Sequence, residues 1–193
     1  MPTLKPLSIF CLTLSIPVLA FHSAAAGDKF NAQNFPAIDE VRFGVLAADL
    51  DPGGATDDSV AINAELLTPH IGGPSDASLW TSFFHPRLHI GTNVNTDDDG
   101  VNQAYAGLTW DYRFGERLFF ETSFGGAVHD GETRDNDTNS YGCTAQFRES
   151  LSVGVQITER VSIMATVDHM SNAGLCDENQ GLTNAGVRFG YRW

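Results

Sequence analysis

Leu182-Thr183-Asn184-Ala185-Gly186-Val187-Arg188-Phe189-Gly190-Tyr191-Arg192-Trp193 closes the chain, and it alternates. Ala185, Val187, Phe189, Tyr191 and Trp193 share one face, while Arg188 and Arg192 share the other. Period-two alternation is the mark of a strand whose faces meet different surroundings. The fold turns on which face meets which. In a soluble sandwich the apolar row is buried and the arginines are solvated. In a membrane barrel the apolar row meets lipid and the charges pair inside.

The same pattern recurs upstream, near 41–50, 59–68, 82–94, 101–114, 117–129, 142–157 and 160–171. Apolar rows run through Val41, Phe43 and Val45; Val60, Ile62, Ala64 and Leu66; Phe84, Leu88, Ile90 and Val94; and Leu108, Trp110, Tyr112 and Phe114. They continue through Leu118, Phe120, Phe124 and Val128; Phe147, Leu151, Val153, Val155 and Ile157; and Val161, Ile163, Ala165 and Val167. The opposite faces carry Arg42, Glu65, Arg87, Asp111, Arg113, Glu121, Arg148 and Asp168. Three features select the membrane barrel. Eight is an even count, which lets both ends lie on one side. The terminal strand ends on Trp193 and resembles the signal recognised by the outer-membrane assembly machinery. Aromatic residues also gather at strand ends (Trp80, Phe83, Tyr112, Phe114, Trp193), as interfacial girdles require. The expectation is an all-β protein, an eight-stranded antiparallel transmembrane β-barrel in a Gram-negative outer membrane.

The N-terminus reads as an address. Met1 to Lys5 carries one positive charge, Pro6 to Ala20 is apolar, and Ala24-Ala25-Ala26 offers a cleavage site before Gly27. This makes residues 1–26 a signal peptide and 27–193 the barrel domain. The apolar run is shorter than the ~20 residues a spanning helix needs.

The chain has a formal net charge of −13, which argues against a nucleic-acid partner. Its acidic residues collect in Asp51–Asp58, Asp97-Asp98-Asp99, Asp130–Asp137 and Asp177-Glu178. With both termini periplasmic, the loops 51–58, 95–100, 130–141 and 171–181 all face outward from the cell. They are either plainly solvated loops or loops that meet divalent cations in a lipopolysaccharide layer. Gly115-Glu116 and Thr158-Glu159-Arg160 then form tight periplasmic turns. The connection near 69–81 is too long for such a turn, and alternation offers no account of it. Cys143 and Cys176 fall at the outer rim, where a disulfide between them is compatible with secretion.

His169 and Ser171 continue the apolar row of the seventh segment, where polar side chains are out of pattern. Glu149 is the one charge on an outward face within the strand cores. If Ile157 and Val161 pair across the turn between them, opposed positions sum to 318 and Glu149 lies across from His169. Glu149, His169 and Ser171 then make an acid–base–nucleophile row able to attack an ester carbonyl. Asn172 and the backbone N–H near Gly174 are the candidate oxyanion donors. Asp168 adjoins His169 in the strand and points the other way, so it cannot orient the imidazole. His85, His89 and His129 face inward by parity and show no convergent metal-ligand spacing. Neither metal nor cofactor is expected.

His169-Met170-Ser171-Asn172-Ala173-Gly174-Leu175, followed by Asn179-Gln180-Gly181-Leu182 and the final aromatic strand, resembles the lipid A 3-O-deacylase family of outer-membrane enzymes. Asn63-Ala64-Glu65-Leu66-Leu67, Tyr105-Ala106-Gly107-Leu108-Thr109-Trp110 and Phe124-Gly125-Gly126-Ala127-Val128-His129 are similar to acyloxyacyl-hydrolase-type relatives. The resemblance implies an eight-stranded barrel that hydrolyses the acyl ester at the 3-position of lipid A. It also implies His169 as base, Ser171 as nucleophile, and Asn172 with Gly174 as oxyanion stabilisers. The best-known members of that family place the triad glutamate at the position matching Thr183, which is no acid. Either Glu149 takes that role from the neighbouring strand, or Glu178 reaches back, or the triad is incomplete; register and burial favour Glu149. The rival readings are a non-catalytic barrel (adhesin, structural protein or narrow channel) and a soluble ligand-binding β-protein. Whether the protein forms a homodimer stays open on the sequence.

Overall fold

The computed structural model describes residues 38–50, 59–72, 79–134 and 140–193. Residues 1–26, read as a signal peptide, lie outside that set, as do the acidic segment 51–58 and part of 130–137. The strands are β1 Glu40–Ala47, β2 Val60–His70, β3 Arg87–Asn95, β4 Gln103–Phe114, β5 Leu118–His129, β6 Ala145–Gln156, β7 Val161–Ser171 and β8 Leu182–Arg192, with a helix α1 Leu79–Phe84 before β3. Each pairs antiparallel with its neighbour in sequence, and β8 closes on β1 to complete a barrel.

Lipid-side and lumen-side residues sort as a membrane barrel demands. Phe43, Val45, Ile90, Val153 and Phe189 stand exposed on the outer wall, while Arg42, Arg87, Arg148 and Arg188 are the largest fully buried side chains. A solvated sandwich inverts that arrangement. Burying so many charges is tolerable only because each finds partners. Arg42 donates to both carboxylate oxygens of Glu121, at 2.6 and 2.7 Å, and to Glu40 at 2.6 Å. Arg87 and Arg192 each donate to Glu40 at 2.6 Å. Higher in the lumen Arg188 reaches Glu65 at 3.2 Å, and Arg148 pairs with Asp168 at 3.2 Å with its guanidinium 3.6 Å from the Tyr105 ring centre.

The hairpins fix the register. Ile157 N–H donates to the Val161 carbonyl at 2.8 Å, and Thr158 Oγ1 accepts from the N–H groups of Arg160 and Val161. That turn sets Glu149 against His169 and Phe147 against Ser171, the pairing in which positions sum to 318.

The third strand is a correction. Alternation extends it back to residue 82, but residues 79–84 are helical and β3 begins at Arg87. Phe84 therefore belongs to α1 rather than to an outward row. Parity does not apply to His85 either: it follows the helix, and its Nδ1 lies 3.0 Å from the Ile71 carbonyl. His89 and His129 are buried on the lumen side as expected. The helix accounts for the long connection. It lies against the outer wall, where the Phe83 ring stacks on Trp110 at 6.1 Å and Trp110 Nε1–H donates to the Phe83 carbonyl at 2.9 Å.

Candidate active site

The site begins with parity on β7. Ser162, Met164, Thr166, Asp168 and Met170 are buried on the lumen side, which turns His169 and Ser171 outward. Two residues apart on one face of a strand, their Cα atoms are about 7 Å from each other. β6 contributes Phe147 and Glu149 from the facing row, and β5 contributes Phe124 opposite Glu149. Phe124, Phe147, Glu149, His169, Ser171 and Ala173 together line an outward-facing cavity of about 270 Å³. The Phe124 and Phe147 rings stack 6.0 Å apart and give the cavity an apolar floor. The arrangement presents a hydroxyl, an imidazole and a carboxylate beside an apolar groove that opens toward lipid.

The imidazole is held from β8. His169 faces Thr183, and His169 Nδ1 lies 2.8 Å from Thr183 Oγ1. Glu149 stands across from the ring on the other flank. Glu178 is exposed in the loop beyond β7 and does not line the cavity.

The segment after Ser171 is placed differently from the reading of it as an oxyanion hole. Asn172 follows Ser171 and so points inward, where it is buried. Its Nδ2 donates to the Tyr141 carbonyl at 3.0 Å and to the Glu178 carbonyl at 2.6 Å, while its Oδ1 accepts from the Gly174 N–H at 2.9 Å. The two expected donors thus engage each other and the neighbouring loops. Ala173 and Gly174 both take left-handed backbone angles, with φ of 54° and 75°, and the turn they form sets Ala173 on the rim of the cavity. Parity carried the signal, because an even-numbered residue on this strand faces the lumen.

Loop 140–144 backs this turn. Tyr141 is buried against His129, their ring centres 5.1 Å apart, and burial pushes its phenol up to about 12, so it stays neutral. Cys143 and Cys176 meet across the two loops with Cα atoms 6.1 Å apart, a separation that suits a disulfide. At the same end of the barrel, Asp49, Asp97, Asp98, Asp99, Asp130 and Glu132 line a wide cup. Among the described residues no group of His, Cys, Asp or Glu has the arrangement of a metal site.

Residues 72–192 match the family profile described as lipid A 3-O-deacylase (PagL), a span that includes β3 to β8 and the whole cavity. No curated protein sequence matches the chain. Among solved structures, the crystal structure of the outer membrane enzyme PagL aligns with a TM-score of 0.61 at 20% identity, covering 80% of this chain and 99% of that one. A de novo designed transmembrane β-barrel aligns with a TM-score of 0.50 at 12% identity, covering 82% of this chain and 97% of that one. At these identities the two structures speak to the barrel alone, whereas the profile spans well over half the sequence: the chain belongs to the lipid A 3-O-deacylase (PagL) family.

Proposed function

We infer that this protein is an outer-membrane ester hydrolase that removes the 3-O-linked acyl chain of lipid A, with Ser171 as nucleophile and His169 as base. The observation that carries the assignment of residues is their convergence with Glu149 on one cavity of the lipid-facing wall. Lipid A reaches such a cavity by lateral diffusion, its ester already near that depth, and the Phe124–Phe147 floor suits an acyl chain.

The steps balance without a cofactor. Ser171 Oγ attacks the ester carbonyl carbon as its proton passes to His169 Nε2, and the resulting oxyanion collapses with cleavage of the bond to the sugar oxygen. The imidazolium returns its proton to that oxygen, releasing the 3-hydroxyl. Water, activated by the same base, then frees the fatty acid from Ser171. Glu149 supplies the negative charge that favours the imidazolium, acting across the strand pair. Asn172 and Gly174 serve the oxyanion through the turn they build, which holds Ala173 and its backbone on the cavity rim.

The narrow-channel alternative has little support in the lumen, where the Arg42 network crosses the barrel and the periplasmic cavity beside it measures about 20 Å³, room for roughly one water. No feature of the site calls for a homodimer. Residues 1–26 are proposed as the secretion signal, and sequencing the N-terminus of the protein from outer membranes should begin near Gly27.

The esterase reading is tested with purified protein in detergent micelles containing lipid A. Release of one hydroxy fatty acid per lipid is expected, and Ser171→Ala should lower the rate by about ten-thousand-fold or more while heat-modifiable gel mobility stays unchanged. Equal release by Ser171→Ala would remove the serine from the mechanism.

A further inference from the structure

We propose that Thr183 and Gly181 are the positioning residues for the base, together doing from β8 what an acidic side chain at position 183 would do alone. The proposal rests on the assignment of His169 as base. Its first support is the contact between His169 Nδ1 and Thr183 Oγ1 at 2.8 Å. A threonine hydroxyl can accept the Nδ1–H, which leaves the Nε2 lone pair to take the serine proton. Thr183 thereby selects the tautomer, and Glu149 on the opposite flank provides the charge that a hydroxyl cannot.

The second support is steric. The Cε1–Nε2 edge of the imidazole lies over Gly181, where a Cβ would fall 2.4 Å from Cε1 and 2.8 Å from Nε2. No side chain fits there without moving the ring. The β7–β8 register pairs His169 with Thr183 and Met170 with Leu182, so one further step brings Gly181 level with Ser171. The space left by the glycine is therefore what lets the reactive edge of the ring lean toward the serine row while Nδ1 keeps its hydroxyl.

The third support explains why these two residues face outward. Leu182 lies between them and is buried with Met170, Tyr105, Ala127 and Tyr141 in an apolar cluster. The Thr183 carbonyl also accepts from the Leu50 N–H at 2.8 Å, which ties the top of β8 to the chain beyond β1. A slip of β8 by one residue would expose Leu182 and bury Thr183.

Three variants test the pair in lipid A micelles, with kcat and KM measured separately and Ser171→Ala as the zero. Thr183→Val keeps the shape and loses the hydroxyl, Thr183→Ser keeps the hydroxyl, and Gly181→Ala fills the space. A displaced catalytic group costs on the order of a hundredfold. Thr183→Val and Gly181→Ala should therefore lose about that factor in kcat with KM little changed, and Thr183→Ser should recover most of it. In ¹⁵N spectra His169 of the wild type should carry its proton on Nδ1, and Thr183→Val should shift it toward Nε2. Wild-type kcat in Thr183→Val, or an unchanged tautomer in that variant, would overturn the proposal. Should Gly181→Ala fail to fold, the two Thr183 variants decide alone. A wild-type protein that releases no fatty acid would instead sink the esterase reading, while the spectra would still report on the pairing of His169 with Thr183.

Discussion

Around His169 the sequence and the structure divide the work unevenly. Strand parity alone turns His169, Ser171 and Glu149 outward, and a three-residue hairpin turn is enough to align Glu149 with His169. Thr183 is less legible in the sequence, because a threonine is no acid and becomes a partner only where the imidazole leans toward β8. Asn172 is the opposite case: the motif suggests a side-chain donor at the site, whereas alternation sends that side chain inward, so its part is in building the turn. The two acids make different predictions. Glu149→Gln should lower kcat by more than tenfold, yet by less than the roughly ten-thousand-fold cost of losing an orienting acid, since Thr183 keeps the tautomer. Glu178→Gln should stay close to wild type, its side chain being exposed and away from the cavity. Assays of both on lipid A, side by side, check the assignment, and full activity in Glu149→Gln would remove that carboxylate.

At the scale of elements, seven of the eight strands begin and end within about three residues of what alternation suggests, because burying charges and exposing apolar side chains to lipid leaves little freedom of register. The helix α1 escaped because Phe84 fits an alternating row as well as a helical one. The overlooked signal was the spacing of Trp80, Phe83 and Phe84, three apart and then one, which is a helical period. The loops beside the site are joined by the Cys143–Cys176 link, across a sequence separation of 33 residues. Replacing both cysteines by serine should cost about 2–4 kcal/mol of stability. The temperature at which the folded gel band converts to the unfolded one should fall accordingly, and an unchanged temperature would show that the loops hold without the link.

At the scale of the whole molecule the barrel is an inverted protein, with its ion pairs inside and its apolar surface outside. Arg42 sits at the centre of that interior, touching Glu40, Glu65 and Glu121. Arg42→Met would leave three carboxylates short of a partner and should destabilise the barrel by about 3–5 kcal/mol, read as a lower midpoint in denaturant titrations in detergent. The same network closes the lumen, so the wild-type protein reconstituted in a planar bilayer should show no steady conductance, and discrete openings would restore the channel reading. The proposed chemistry therefore belongs to the outer wall, where the cavity around Ser171 opens. The most direct test of that claim is mass spectrometry of lipid A from a host without the activity that expresses this chain. Loss of one 3-linked hydroxyacyl chain with the wild type, and intact lipid A with Ser171→Ala, is the predicted result; intact lipid A from cells holding well-folded wild-type protein would contradict it.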